Sequence, residues 1–164
     1  NIVYGVKGVF MRILVISDSH GNTRNIERAV ESQPEANIII HLGDGADDIV
    51  DLEFVYRDKQ FYQVAGNCDW GSSLPLEGEL KVADKTIFFV HGHEYRVKTN
   101  LQQIKMEARK RNADIVLFGH THLPITEYDD ELYLLNPGSL QYADGTYGII
   151  DITDAGISVQ IIKV

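Results

Sequence analysis

The sequence feature that most constrains the fold is an apolar run that breaks directly into a polar turn. The four apolar residues Ile13–Ile16 are followed closely by Asp18 and His20, and then by Gly21-Asn22. A short apolar run bounded by turn residues is typical of a buried strand. A carboxylate and an imidazole two positions apart can converge on one metal ion there, because an irregular turn frees both side chains from strict alternation. Asp and His are also ordinary turn residues, so this pair alone does not define a site.

The same layout recurs four more times along the chain, each time as an apolar run that ends in a polar cluster. The four clusters are Gly43-Asp44, Gly66-Asn67, His91-Gly92-His93 and Gly119-His120-Thr121-His122. Because the carboxyl ends of the strands in an α/β sheet face one side, we expect these side chains to meet there. Two carboxylates, one amide oxygen and up to four imidazoles are too many ligands for one zinc-like ion and suit two. The mixture of nitrogen and oxygen donors favours Mn, Fe, Co, Ni or Zn over Ca.

The order of strands and helices predicts a mixed α/β fold. Three apolar strands, at 12–16, 37–42 and 60–64, alternate with helices near 22–32 and 46–56, which indicates a parallel sheet with right-handed crossovers. A predicted hairpin at 79–82 and 86–90 comes next, and a helix over 99–112 follows, opening with the capping-box spacing Thr99-x-x-Gln102. Further strands are predicted at 115–118, 124–128, 132–135, 146–152 and 157–163. We expect two mixed β-sheets packed face to face with helices outside, in a single domain over residues 11–164.

Charge and composition exclude some classes of partner. The net charge of -9 argues against non-specific binding to nucleic acid or to an anionic membrane, although bound metal ions can reverse the sign locally. The single cysteine excludes an internal disulfide and fits a reducing compartment, so we expect a cytoplasmic protein without a membrane span. Residues 1–10 lack the features of a signal peptide and precede Met11. We interpret them as an expression remnant or a doubtful upstream start with no part in function.

The five clusters together carry a family resemblance. Their order, D-x-H, G-D, G-N, H-G-H and G-H-T-H, resembles the motif series of the calcineurin-like metallophosphoesterases. The compact length and the Gly66-Asn67-Cys68-Asp69 variant are similar to the small bacterial and archaeal phosphodiesterases of that superfamily. The resemblance extends from Met11 to Val164. It implies an α/β/β/α sandwich that hydrolyses phosphodiesters by attack of a hydroxide bridging two metal ions.

The resemblance also implies a role for each residue of the clusters. Asp18, His20 and His122 would hold one metal, and Asn67, His91 and His120 the other, with Asp44 bridging the two. Asp44, Asn67 and His93 are the catalytic candidates, and Asn67 and His93 are also expected to bind substrate. We expect two divalent ions, manganese first, with Ni, Fe, Co or Zn as alternatives.

Cys68 departs from the pattern, because many members of the superfamily have a histidine there that protonates or stabilises the leaving oxygen. A thiol is a poorer general acid near pH 7 than an imidazole, so the site either favours good leaving groups or uses His93 as the acid. We expect Cys68 to be a packing residue, Asp69 to cap a loop or stand behind the ligands, and His41 to be a core histidine. The loop containing Asn136 and Ser139 is expected to support the site.

Two other functions are compatible with the same motifs. A scaffold subunit of the retromer complex has this fold and uses its surface for partners, so a non-catalytic scaffold is one alternative. A nucleotide or pyrophosphate hydrolase with the same metals is the other. The expected partner is a small phosphate-ester substrate, and apolar strands near the C-terminus leave edges through which a homo-oligomer could form.

Overall fold

The computed structural model describes Gly8 and residues 10–164. The strands of these residues are β1 Phe10–Ile16, β2 Ala36–His41, β3 Gln60–Gln63, β4 Glu77–Val82, β5 Lys85–Val90, β6 Ile115–Leu117, β7 Pro124–Asp129, β8 Leu132–Pro137, β9 Thr146–Thr153 and β10 Gly156–Lys163. The α-helices are α1 Thr23–Ser32, α2 Val50–Val55 and α3 Gln102–Lys110, and a short 3-10 helix covers His93–Tyr95.

The strands form two five-stranded mixed sheets. The first has the order β10-β9-β1-β2-β3, in which β1, β2 and β3 are parallel and β9 is antiparallel to both β1 and β10. The second has the order β4-β5-β6-β8-β7, with β5, β6 and β8 parallel and antiparallel strands at both edges. The loops at the carboxyl ends of these parallel strands carry the polar clusters, and the parallel direction of the strands brings these loops to one edge of each sheet.

Three apolar clusters show that the molecule has four layers. The central cluster joins the facing sides of the two sheets and includes Val15 and Ile40 from the first and Phe89 and Leu117 from the second. A second cluster covers the outer face of the first sheet with α1 and α2, and a third covers the outer face of the second sheet with α3. The predicted α/β/β/α architecture is confirmed.

The local predictions hold for α1 and need correction at the other two helices. Asn22 caps α1 by accepting a hydrogen bond from the backbone N–H of Asn25 at 3.1 Å. Helix α2 begins at Val50 rather than at 46, because residues 46–49 form turns closed over three residues, from Asp48 N–H to Gly45 O at 3.0 Å and from Val50 N–H to Asp47 O at 3.5 Å. Helix α3 begins at Gln102, so the predicted capping box starting at Thr99 is wrong.

The N-terminal boundary differs slightly from the expectation. Strand β1 already includes Phe10, which pairs with Thr153 of β9. Apart from Gly8 and Phe10, the predicted extension lies outside the described residues, and its origin stays a prediction. Among the helices that the structure describes, none is both long and apolar enough to cross a membrane.

Candidate metal centre

The loops that follow β1, β2, β3, β5 and β6 meet at one edge of the sandwich. The loop after β1 is fixed to the loop after β2 by the backbone N–H of Asp18, which donates to Gly43 O at 3.0 Å, and by that of His20, which donates to Asp44 O at 3.0 Å. The loops after β5 and β6 are joined in the same way, from Gly119 N–H to His91 O at 2.9 Å. The expected convergence of polar clusters from distant parts of the chain is therefore present.

The first group of candidate ligands consists of Asp18, His20 and His122. His122 Nε2 lies 3.1 Å from Asp18 Oδ1 and 3.4 Å from His20 Nε2. His20 Nε2 lies 3.9 Å from the same Asp18 oxygen. The three side chains thus direct their ligating atoms to one point.

The second group consists of Asn67, His91 and His120. His91 Nε2 lies 3.0 Å from Asn67 Oδ1 and 3.2 Å from His120 Nδ1. His91 Nδ1 lies 2.8 Å from the backbone oxygen of Leu42, to which a proton on that nitrogen donates. This contact leaves the lone pair of His91 Nε2 facing the other two side chains, the orientation that a metal ligand needs.

Asp44 lies between the two groups. Its Oδ2 is 3.7 Å from His20 Nε2 and 3.5 Å from His91 Nε2, and its Oδ1 accepts a hydrogen bond from the backbone N–H of Cys68 at 2.8 Å. The glycine of the G-N motif allows this approach, because a Cβ on Gly66 would overlap the Asp44 carboxylate. All seven side chains that the sequence singled out as ligands therefore lie in one cluster, with Asp44 in the bridging position.

The chemistry of this cluster fits bound cations. Asp18 Oδ1 is buried and has no hydrogen-bond partner among the described residues, although its neighbours His20 and His122 face it. Burial raises the pKa of Asp18 to about 6, against the lowering effect of hydrogen bonds from Ser17 and from the backbone N–H of His120. A buried carboxylate with an unused oxygen, next to a second buried carboxylate at Asp44, is stabilised by a cation at that oxygen.

Three histidines of the cluster, His91, His120 and His122, are held in the neutral form that binds metals. Burial lowers the pKa of His91 to about 4, and burial together with the neighbouring His91 lowers the pKa of His120 to about 4. Burial also lowers the pKa of His122. Near neutral pH these imidazoles keep an unprotonated nitrogen, which is the form a divalent ion requires.

Asp69 fixes the loops that carry Asp44 and Asn67. Its carboxylate accepts four backbone N–H hydrogen bonds, from Asp44 at 2.8 Å, Gly45 at 2.9 Å, Ala46 at 2.9 Å and Gly66 at 2.7 Å. Burial raises the pKa of this carboxyl, but the four N–H donors outweigh burial and lower it below the ordinary value. The structure thus places Asp69 behind the ligands as a loop-capping residue.

The loop after β8 supports the site from the other side. Asn136 Nδ2 donates to Gly119 O at 2.9 Å and to Thr121 Oγ1 at 3.0 Å, which holds the G-H-T-H turn. Ser139 Oγ donates to the backbone oxygen of Asp18 at 2.8 Å. Both residues have the supporting positions expected for this loop.

The sequence analysis missed three further polar residues of the site, Ser17, Ser19 and Asp48. Ser17 Oγ donates to Asp18 Oδ2 at 2.6 Å, and Ser19 Oγ donates to Asp48 Oδ2 at 2.6 Å. Ser19 Oγ also lies 3.0 Å from His41 Nε2, and burial lowers the pKa of His41 to about 4. His41 is therefore a neutral core histidine, as expected, but it also belongs to a hydrogen-bonded chain under the metal site. The only sequence signal was that both serines flank Asp18.

His93 and Cys68 lie at the margin of the cluster. The His93 ring centroid is 5.4 Å from that of His91, and His93 Nδ1 is buried without a hydrogen-bond partner among the described residues. The Cys68 thiol is exposed and accepts a hydrogen bond from Asn67 Nδ2 at 3.4 Å, so the expected buried packing role is wrong. Burial, contact with Asp44 and other nearby carboxylates raise the pKa of the Cys68 thiol.

Comparisons with known proteins agree with this geometry. Residues 11–155 match the model of the calcineurin-like phosphoesterase superfamily domain. A probable metallophosphoesterase of Bacillus subtilis, YsnB, is 32% identical over 133 residues, covering 80% of this chain and 76% of the relative. Phosphodiesterase MJ0936 of Methanocaldococcus jannaschii is 29% identical over 160 residues, covering 86% of this chain and 93% of the relative. The solved structure of Vacuolar Protein Sorting 29 from Cryptosporidium parvum superposes with a TM-score of 0.73 at 16% identity, covering 94% of this chain and 98% of that one.

Proposed function

The chain belongs to the calcineurin-like phosphoesterase superfamily, and we propose that it is a dinuclear metal-dependent phosphodiesterase. The observation that carries the proposal is the position of Asp44, whose Oδ2 lies within 3.7 Å of His20 Nε2 and 3.5 Å of His91 Nε2. One carboxylate oxygen shared between two groups of ligands is the arrangement that a pair of cations needs.

The seven ligand candidates would hold two divalent ions, and we propose manganese first, with Ni, Fe, Co or Zn as alternatives that nitrogen and oxygen donors also suit. Such ions, when bound, lower the pKa of a water molecule and neutralise charge on the phosphoryl group. They would also reverse the local charge, which matters because the protein as a whole is acidic, with a net charge of -9.

Asn67 and His93 are the residues we propose to act on the substrate itself. Asn67 is exposed at the edge of the cluster, its Oδ1 lies 3.0 Å from His91 Nε2, and its Nδ2 donates to the exposed Cys68 thiol, a weak acceptor that a phosphoryl oxygen can replace. His93 is half-buried beside His91 and His120, with ring centroids 5.4 Å and 6.1 Å away. An imidazole at that place can deliver a proton to the leaving oxygen.

Cys68 is a weaker candidate for the acid. Its thiol already accepts a hydrogen bond from Asn67, and its backbone N–H donates to the Asp44 carboxylate. Its raised pKa keeps the thiol neutral near pH 7 and makes proton release less favourable. This distribution of roles favours His93 as the proton donor.

The proposal is tested by assaying hydrolysis of bis-p-nitrophenyl phosphate with added Mn²⁺ while metal bound to the purified protein is counted. We expect turnover and two metal ions per chain in the wild type, and loss of turnover with reduced metal content in Asp44→Ala. Absence of turnover with Mn²⁺, Ni²⁺, Co²⁺, Fe²⁺ and Zn²⁺ in a correctly folded protein would contradict it.

A non-catalytic scaffold is the second candidate, because a vacuolar sorting protein shares the fold. The complete set of seven ligand candidates favours the enzyme, since a scaffold needs no such set. The nucleotide or pyrophosphate hydrolase is separated from the phosphodiesterase by comparing monoester, diester and anhydride substrates under the same metal conditions. Faster hydrolysis of the diester is the expected result.

A further inference from the structure

A groove of about 560 Å³ lies directly beside the proposed metal site. The loop that follows β3 and the start of α2 form its walls, and Asp47, Gln63, Cys68, Trp70 and Leu74 are among the residues that line it. Its volume falls in the range of pockets that bind small organic ligands. Cys68 connects it to the metal site, because the Cys68 backbone N–H donates to Asp44 and the preceding residue is Asn67. A substrate whose phosphate is held at the metal site can therefore extend an organic group into the groove.

The charge of the groove restricts what that group can be. Two carboxylates, those of Asp47 and Asp69, line the groove, and none of the lining residues that the structure describes is Lys, Arg or His. Asp69 already binds four backbone N–H groups, whereas Asp47 is exposed and offers its oxygens to a ligand. Such a surface repels a second phosphate and accepts hydrogen bonds from N–H donors.

Trp70 restricts the shape of the group. It is the single tryptophan of the chain, and its side chain is 91% exposed at the groove. A large aromatic side chain usually loses most of its contact with water, so an indole left this open beside a binding site provides a flat surface for another ring. Stacking on such a surface depends on the π-face of the ligand and tolerates different ring types.

We propose that the groove binds the organic group of the phosphodiester, and that this group is a flat nitrogen-containing ring with N–H donors and no further phosphate, as in an amino-bearing nucleoside. The ring stacks on Trp70 and its amino group donates to Asp47. This inference rests on the proposed function for the phosphate end of the substrate, but the groove can be tested without turnover.

The first test measures tryptophan fluorescence, because Trp70 is the only source of that signal. The metal-loaded protein is titrated with adenosine, purine riboside and ribose, with excitation at a wavelength where the nucleosides do not absorb. We expect a saturable change with adenosine, a weaker one with purine riboside, whose base has no N–H donor, and none with ribose. Asp47→Asn should reduce the ratio of the affinity for adenosine to the affinity for purine riboside. No saturable change up to the solubility limit of adenosine, or a response to choline but not to adenosine, would overturn the proposal.

The second test compares two substrates that differ only in the group placed in the groove. We expect Trp70→Leu to raise KM for a p-nitrophenyl nucleoside phosphodiester about tenfold relative to KM for methyl p-nitrophenyl phosphate. Phe54→Leu is the matched control, because Phe54 is also an exposed aromatic residue but lies outside the lining of the groove. Equal effects of Trp70→Leu on both substrates would overturn the inference. Adenosine binding without any phosphodiester hydrolysis would instead contradict the proposed function and leave the groove assignment supported.

Discussion

Replacing Asp69 by asparagine should destabilise the protein strongly, although the two side chains have nearly the same shape. The Asp69 carboxylate accepts four backbone N–H hydrogen bonds of 2.7 to 2.9 Å, two on each oxygen. Asparagine keeps one accepting oxygen and turns an NH₂ group towards two N–H donors, so two bonds are lost. Hydrogen bonds to a charged group contribute about 1.5–3 kcal/mol each. Because Asp69 is only partly buried and water replaces some of the lost contacts, we expect a loss of about 2–4 kcal/mol.

Urea unfolding of the metal-free protein measures this loss, with Asp47→Asn as the control. Asp47 is exposed and lines the same groove, and its replacement removes the same charge. We expect Asp47→Asn to change the free energy of unfolding by less than about 0.5 kcal/mol. Equal effects of the two substitutions at pH 7 would refute the assignment of Asp69 as the residue that holds these loops.

The pH dependence gives an independent check. The folded-state pKa of Asp69 lies below its ordinary value of 3.8, so the folded state binds this proton less readily than the unfolded chain. Its stabilising contribution is therefore complete above the unfolded pKa and is lost as the pH falls through the folded pKa. The difference between wild type and Asp69→Asn should be constant above about pH 5 and shrink below about pH 4. A difference that grows on acidification would contradict the reasoning.

The remaining predictions concern the acid, a core histidine and the central core. His93→Ala should lower kcat for an alkyl phosphodiester by about 10²–10⁴-fold and kcat for an aryl diester by less, while the metal content stays unchanged. Full activity of this variant, with an unchanged alkaline limb of the pH profile, would show that His93 is not the acid. Burial lowers the pKa of His41 to about 4 from an ordinary 6.5, so the folded state binds this proton less readily than the unfolded chain. The free energy of unfolding should therefore fall by on the order of 3 kcal/mol as the pH falls from 6.5 to 4. In acid unfolding curves, the free energy of unfolding of His41→Gln should fall by less over the same pH range. Leu117→Ala, between the two sheets, should cost about 2–5 kcal/mol in urea unfolding, whereas Leu123→Ala, 64% exposed, should cost far less.

The fold and the convergence of the clusters could be predicted because both depend on patterns repeated along the chain. Apolar runs such as Ile13–Ile16 are buried on both faces of a sheet, which the continuous hydrophobicity already indicates. Parallel strands then force the loops that follow them to one edge. Neither step requires knowledge of individual contacts.

The start of α2 could not be predicted because it depends on a contact between distant residues. The sequence from 46 onwards is compatible with a helix, but the Asp48 carboxylate accepts hydrogen bonds from Ser19 Oγ at 2.6 Å and from the Gly21 N–H at 2.8 Å, more than twenty positions away. These contacts hold Asp48 in a turn in which its N–H donates to Gly45 O, three residues back, instead of four residues back as in an α-helix. Local propensity does not include contacts with distant residues, so the helix was predicted to begin four residues too early.

The backbone of the ligand loops explains how the side chains reach the metal site. Asp18, Asp44 and His120 have left-handed φ angles of 52°, 58° and 67°, and His20 and His122 have 44° and 60°. Such conformations cost roughly 1–2 kcal/mol each for residues other than glycine, and they cluster here because an extended backbone would point alternate side chains to opposite faces.

Hydrogen bonds to the backbone and to the carboxylates of these loops offset this strain. Ser17 and the backbone N–H of His120 bind the Asp18 carboxylate, Ser139 binds the Asp18 carbonyl, and Asp69 holds the backbone of Asp44. Cations bound by the strained residues would favour the folded chain further, because they have no comparable site when it is unfolded. Ser17, Ser139 and Asp69 should therefore affect metal affinity and stability together, although none of these three is a ligand candidate.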